Sequence, residues 1–254
     1  MHIAVCLRGI SYLQNYYHKY GLPPYTIDFR DTSDSILKNI IDPLRNQGHE
    51  VDVYLYTYHS AYDHELETTY QPIKTIYKDY QPIPLGIAQT QIGEPMLVDH
   101  HIDCIDMIQD KKYDHVIITR FDLYFYKNIL EVGIDWNTFN YSFVHMARSP
   151  QGIIFSSEDN FVCYPYSKNK IFKECLLRMK QDKQSTHLSG KYLIDSGERV
   201  KYLFGEKGEG AYDYPFYKFG RHIFGEVKEY HLEHILTIPM NRLDSQAPNG
   251  LYFP

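Results

Sequence analysis

Between residues 2 and 58 the sequence passes from an apolar strand, through an aromatic loop and a helix with one apolar face, into a second apolar strand. This order constrains the fold most, because two strands joined by a helical crossover pack side by side and parallel, with a right-handed connection. The first strand is His2–Leu7, an apolar run closed by Arg8-Gly9, and a residue without a Cβ there allows a tight turn or the close approach of a ligand. The stretch ISYLQNYYHKYGLPPYTIDFRD is broken by Gly21, Pro23 and Pro24, which predicts an ordered loop. Asp31, Thr32 or Ser33 is expected to cap the next helix, whose Ile36, Ile40, Ile41 and Leu44 recur at one-face spacing. Pro43 is expected to kink or shorten its last turn. Val51, Val53 and Leu55 then alternate along the strand EVDVYLYTY.

The same alternation continues beyond residue 58. KTIYKDY reads as a short strand, PMLVDHHIDCIDMIQDKKY as a helix with Leu97, Cys104, Ile105 and Ile108 toward the core, and HVIITRFDLYF as the next strand. YSFVHMAR is a further strand, and QGIIFSS and NFVCYP are short segments suited to a mixed sheet. Helices are expected over KNKIFKECLLRMK and near THLSGKYLI, followed by a Gly/Tyr-rich stretch from Gly205 to Gly225 and a late strand HILTIPM. The expectation is one α/β domain over residues 1–254, Rossmann-like, with a mixed, mostly parallel sheet flanked by helices.

The net charge of −6, with no dense Lys/Arg tract, argues against a nucleic-acid surface. No apolar stretch approaches the roughly 18 residues of a membrane span. The start, MHIAVCLRG, lacks a secretory signal, so a cytoplasmic location is expected. Cys6, Cys104, Cys163 and Cys175 have no CxxC spacing and read as buried small hydrophobes. The 25 tyrosines supply flat rings with a hydroxyl, suited to sugar or base stacking and to interfaces, although A/T-biased coding enriches tyrosine as well.

In open α/β sheets ligands bind beyond the carboxyl ends of the strands. Two charged signals fall there: Arg8-Gly9 after the first strand and Arg120-x-Asp122 in the strand HVIITRFDLYF. An Asp at such a place can hold a hard divalent cation bridging a diphosphate, and an Arg offers a forked donor to phosphate oxygens. The alternative is an internal ion pair between Arg120 and Asp122. In VDHHIDCID, Asp99, Asp103 and Asp106 share a helical face with His100 and His101 adjacent, but that face is read as the helix's polar outside rather than a metal site. His231 and His234 of HLEH have one-turn spacing with no acidic partner nearby in sequence.

The segments IAVCLRG, VDVYLYTY and YDHVIITRFDLYF together resemble the GT-A type of nucleotide-sugar-dependent glycosyltransferase, particularly small soluble viral proteins encoded by large DNA viruses. The similarity runs over about the first 165 residues and ends in SSEDNFVCYP. It implies a GT-A-like fold, with residues 1–125 as the nucleotide-binding half and residues 126–254 as the acceptor-binding half. It further implies a hexosyl- or pentosyltransferase that moves a sugar from a nucleotide-diphosphate sugar to a hydroxyl of a glycan acceptor by inverting displacement. Carried over, Arg8 and Gly9 contact the nucleotide, Arg120 and Asp122 meet the diphosphate, and Asp122 ligates Mn²⁺ or Mg²⁺. This chain has Arg120 where a DxD motif has its first Asp, so metal dependence stays open, because the guanidinium can itself supply positive charge. Inversion needs a carboxylate to take the acceptor's proton, and SSEDNF offers Asp159 first and Glu158 second. A turn Asp that caps its own backbone is the other reading of Asp159. Asp195 and Asp213 are weaker candidates, and His222 or His231 is a further metal-ligand candidate. Two alternatives carry different consequences: a non-catalytic carbohydrate-binding protein whose tyrosines line a groove, or another nucleotide-using α/β transferase.

Overall fold

The computed structural model describes residues 1–16, 25–80, 89–142, 144–149, 152–157, 160–203 and 217–219. Seven strands form the central sheet: β1 (His2–Arg8), β2 (Glu50–Tyr58), β3 (Lys74–Lys78), β4 (His115–Arg120), β5 (Phe139–Tyr141), β6 (Phe161–Pro165) and β7 (Val200–Tyr202). Their spatial order is β3-β2-β1-β4-β6-β5-β7. Only β6 runs against its neighbours, pairing antiparallel with both β4 and β5. The other registered pairs are parallel, as the strand–helix alternation predicts. The chain is therefore a single α/β domain with a mixed, mostly parallel, Rossmann-like sheet.

β1 and β4 are continuous apolar runs because helices cover both faces of the sheet. On one face Ile3, Val5, Leu7, Val53, Leu55 and Ile117 pack against the segment formed by α1 (Arg30–Ile36), a π-helical stretch (Leu37–Ile41) and α2 (Asp42–Asn46), through Ile36, Ile40, Ile41 and Leu44. On the other face Ala4, Cys6, Tyr54, Tyr56, Val116 and Ile118 meet Val98, Cys104 and Ile105 of a helix at Gln89–Met107, and Ile108 just beyond it. This helix follows α3 (Asp63–Tyr70) and is α4. α5 (Asn169–Gln181) and α6 (Ser189–Asp195) extend the same layer through Phe172, Leu176 and Leu193. Each fully buried Val, Leu or Ile contributes about 1.5–3 kcal/mol relative to exposure. All four cysteines are buried and free. No helix among the described residues is long and apolar enough to cross a membrane.

Several local expectations are corrected. Part of the predicted aromatic loop is an antiparallel ribbon, Tyr12–Tyr16 with Tyr25–Asp28, a conformation that aromatic and β-branched residues such as Tyr12 and Ile27 favour. Helix α1 begins after Phe29, with no side-chain cap, so Asp31, Thr32 and Ser33 lie inside the helix. Pro43 stands in the first turn of α2, after the π-helical stretch, where its missing N–H costs least. HVIITRFDLYF is not one strand, because a turn at Phe121 and Asp122 separates β4 from Leu123–Phe125. YSFVHMAR divides as well: Phe139–Tyr141 stays in the sheet, while Val144–Ser149 pairs with Gly152–Ser157. The late strand HILTIPM lies outside the described residues.

At the amino-terminal end of the sheet, Asp52 Oδ2 accepts hydrogen bonds from Tyr113 (2.8 Å), Lys111 (2.9 Å) and His2 Nε2 (3.0 Å). Burial alone raises this carboxyl's pKa, but the bonds from Lys111, Tyr113 and His2 outweigh it and hold the group below the ordinary carboxylate value. A depressed folded pKa adds stability above the unfolded value of about 3.9, and that stability disappears as pH falls through the folded value. Urea melts across the acid range should therefore show a steeper loss below about pH 4 in the wild type than in Asp52→Asn. Parallel acid limbs would mean that Asp52 carries no linkage.

Candidate functional site

The functional candidates gather where the sheet's chain order reverses. From β1 the sheet grows one way through β2 and β3 and the other way through β4, so the carboxyl ends of β1 and β4 flank the switch point at which open α/β sheets bind ligands. Arg8 ends β1, Arg120 ends β4, and the two are direct register partners. Partners in a parallel pair project to the same face. Arg8 and Arg120 continue the Cys6 and Ile118 face, the side covered by α4. Tyr56, the register partner of Arg8 on β2, joins the same row.

Arg8 is 1% exposed, and a buried guanidinium is costly unless its surroundings satisfy it. Its Nε has no hydrogen-bond partner among the described residues, although the side chain makes other interactions. Gly9 turns the chain away directly afterwards. Its φ is +100°, which an L side chain resists, and its N–H donates to the Tyr56 carbonyl at 3.0 Å. A Cβ on Gly9 would meet nothing within 4 Å, so the positive φ of the turn, rather than crowding, is what favours glycine here.

Arg120 grips Asp122 in a two-point fork, Nε to Oδ1 at 2.8 Å and Nη2 to Oδ2 at 2.7 Å. Its remaining nitrogen Nη1 donates to Asn160 Oδ1 at 3.2 Å. Helix α1 fixes the turn that carries Asp122. Thr32 Oγ1 donates to the Phe121 carbonyl, Ser35 Oγ accepts from Phe125 N–H at 3.1 Å, and Asn39 Nδ2 donates to the Phe125 carbonyl at 2.8 Å. Thr32, one of the residues expected to cap the helix, thus anchors the turn at the switch point together with Ser35 and Asn39.

His100 belongs to the same cluster. It is 4% exposed on α4, with its ring 5.0 Å from Tyr56 and its Nε2 2.8 Å from the Tyr58 hydroxyl. Burial, followed by the nearby charges of Arg8, His101 and Arg120, lowers its pKa to about 3, so the ring is neutral at ordinary pH. Burial also pushes the Tyr58 hydroxyl up to about 12, so it keeps its proton. The Tyr58 hydroxyl and Nε2 share that hydrogen bond, while Nδ1 has no hydrogen-bond partner among the described residues. The face of Asp99, Asp103 and Asp106 is the partly exposed polar side of the helix, whereas the adjacent His100 and His101, 4% and 2% exposed, turn inward. The carboxylates on that helix pair with lysines instead: Asp99 with Lys180, Asp103 with Lys78 and Asp106 with Lys173.

Arg8, Gly9, Arg120 and Asp122 therefore converge, and His100, Tyr58 and Asn160 join them. Glu158 and Asp159 lie outside the described residues, as do Asp213, His222, His231 and His234. The described flanks of the 158–159 pair are both anchored. Asn160 bonds Arg120, and Ser157 is buried with its hydroxyl 3.1 Å from that of Tyr202. Asp195 is exposed and pairs with Lys191 one helical turn away, a surface role.

A magnesium-type ion takes about six oxygen ligands. Both oxygens of Asp122 are held by Arg120, and among the described residues no group of three metal-capable side chains converges at the switch point. In this structure Asp122 is held as the ion-pair partner of Arg120. The group that does converge, His2, Glu50 and Asp52, lies at the opposite end of β1 and β2, about 20 Å away along the strand. There the Lys111 ammonium already lies 2.9 Å from Asp52 Oδ2.

Fold and site together define an α/β protein with Arg8, Arg120, Asp122 and a buried His100 gathered at a topological switch point, where open α/β sheets bind ligands. No protein-family model matches the chain, and no curated protein matches it.

Proposed function

We propose that the chain is a GT-A-like glycosyltransferase that takes a sugar from a nucleotide-diphosphate donor and passes it to a hydroxyl of a glycan or small glycoside. One observation carries this reading: Arg8 and Arg120 are register partners at the switch point, where two guanidiniums on one face suit the phosphates of a nucleotide. In inverting displacement the bond from the anomeric carbon to the diphosphate oxygen breaks as the acceptor oxygen attacks the opposite face. The leaving diphosphate then gathers negative charge at the arginines, and a carboxylate takes the acceptor's proton. Asp159, with Glu158 second, is the proposed base, and its chain neighbour Asn160 is hydrogen-bonded to Arg120.

The acceptor has a candidate ledge. Phe121, Leu123 and Phe125 are buried, while Asp122, Tyr124 and Tyr126 alternate with them. The rings of Tyr124 and Tyr126 lie 5.5 Å apart, and Tyr126 is 45% exposed, giving flat apolar faces beside the carboxylate.

The test is a screen of nucleotide sugars for slow hydrolysis without acceptor, reading released nucleoside diphosphate. One donor class is expected to turn over well above the others. A chain that hydrolyses none of them and is not stabilised by any nucleoside diphosphate in a thermal melt would not be this kind of transferase.

A further inference from the structure

We propose that His2, Glu50 and Asp52 form a binding site for one Zn²⁺ ion at the amino-terminal rim of the sheet, where the ion displaces the Lys111 ammonium. The site lies at the opposite end of β1 and β2 from the switch point and does not depend on the transferase reading.

Two neighbouring strands assemble the three side chains. His2 on β1 and Glu50 on β2 are register partners in a parallel pair, and Asp52 follows Glu50 by two residues, so all three project to one face. Their ligand atoms lie within 4.8 Å of one another, with His2 Nε2 3.0 Å from Asp52 Oδ2 and 3.6 Å from Glu50 Oε1. Nitrogen and oxygen ligands about 2.0–2.2 Å from a tetrahedral zinc ion stand about 3.3–3.6 Å from each other, so side-chain rotation alone closes this set on an ion. The Glu50 side chain is 71% exposed, which leaves it free to turn inward and opens the site to solvent. Three protein ligands leave the fourth zinc position to water.

The donor set selects the ion. An imidazole with two carboxylates suits zinc, whereas magnesium and calcium take oxygen ligands and about six or more of them. The two carboxylates balance the ion's charge. Outer partners hold the ligands in place. The Tyr113 hydroxyl donates to Asp52 Oδ2 at 2.8 Å, its ring lies 4.4 Å from that of His2, and the His2 backbone N–H donates to Asp114 Oδ2 at 2.7 Å.

This spot already attracts a cation, because the Lys111 ammonium lies 2.9 Å from Asp52 Oδ2. Its side chain is 44% exposed, and an ion pair this open to water is weak, so the ammonium returns to solvent at little cost when a doubly charged ion arrives. The ion also takes the place of the proton between His2 Nε2 and Asp52, which passes to Nδ1 or to the buffer.

The test is calorimetric titration of the full chain with ZnCl₂ after EDTA treatment and dialysis. The wild type is expected to bind Zn²⁺ with a Kd of about 1 μM or tighter and to melt at a higher temperature when the ion is present. His2→Gln and Glu50→Gln are each expected to weaken that binding at least tenfold. Lys111→Met, which keeps the apolar stem and removes the competing charge, is expected to tighten it about three- to tenfold. A wild-type chain that binds no Zn²⁺ overturns the inference, and so does binding that the two ligand variants leave unchanged, since the ion would then sit elsewhere. Unchanged affinity in Lys111→Met overturns the exchange of cations. Glu50 is exposed and its replacement leaves the core untouched, so Glu50→Gln decides the matter should His2→Gln fail to fold.

Discussion

Arg120→Lys is expected to lower nucleotide-sugar turnover by about 10²–10³-fold while moving the thermal transition down by only a few degrees. Lysine keeps the positive charge at the end of β4 but loses the planar fork. Arg120 uses that fork on two partners: Nε and Nη2 bind the two oxygens of Asp122, and Nη1 reaches Asn160. An ammonium on a flexible stem cannot hold Asp122 at two points, reach Asn160 and present a directed donor to a phosphate. The lost bonds are charge-assisted and partly buried, with Asp122's side chain 13% exposed, so about 1–2 kcal/mol of stability should go. At about 2–4 °C per kcal/mol for a chain near this size, that shift is readable in a melt. The turnover loss is the larger effect because it removes a donor aimed at charge that develops as the diphosphate departs. Asp122→Asn should cost more stability than Arg120→Lys, since its amide turns an N–H toward the guanidinium and leaves that charge uncompensated. A lysine variant that loses the stability but keeps wild-type turnover would reduce Arg120 and Asp122 to a structural ion pair.

The sequence reveals strands more readily than it reveals which strands are neighbours. IAVCL and VIIT announce β1 and β4 because a strand covered on both faces has no polar side to show. Arg8 and Arg120 are each visible as charges closing an apolar run, yet their adjacency depends on register between segments more than a hundred residues apart. The inward turn of His100 and His101 is hard to read beside three aspartates whose helical spacing marks a solvent face, where they pair with lysines. A signal for it is nevertheless present. His101 falls on the same stripe as Leu97, Cys104, Ile105 and Ile108, four residues after Leu97, and its Nδ1 bonds the Leu97 carbonyl at 3.0 Å. β7 offers three residues, VKY, too few for periodicity to register, and parallel pairing to β5 makes it a strand. The anchoring of the Asp122 turn by Thr32, Ser35 and Asn39 was equally illegible, because those residue types at a helix start usually signal a cap.

Gly190→Ala is expected to destabilise the chain by about 1–2 kcal/mol, against the sign that helix propensity predicts. Gly190 lies in α6, where replacing glycine with alanine gains up to about 1 kcal/mol in an exposed helix. Here an added Cβ would stand 2.0 Å from Ser157 Oγ, 2.8 Å from the Tyr202 hydroxyl and 3.2 Å from Ser157 Cβ. Overpacking of a buried contact costs about 1–3 kcal/mol, which outweighs the propensity gain. Ser157 cannot yield freely, because it is buried, its hydroxyl meets that of Tyr202, and its carbonyl lies 3.3 Å from His187 Nδ1. The Ser157→Ala/Gly190→Ala double variant isolates the cause. It removes the atom at 2.0 Å while keeping the Cβ at 3.2 Å, so it should recover part of the loss, a non-additive result in urea melts. Single and double variants that fall by simply additive amounts would place the cost elsewhere than in the clash. The same contact also reaches toward the chemistry, because Ser157 is covalently joined to Glu158. With Asp159 or Glu158 as the base, displacing Ser157 should lower kcat about tenfold and leave the donor's KM unchanged, since Arg8 and Arg120 stand on β1 and β4 and do not depend on α6. A rise in donor KM with kcat preserved would place the 158–159 pair at the donor instead.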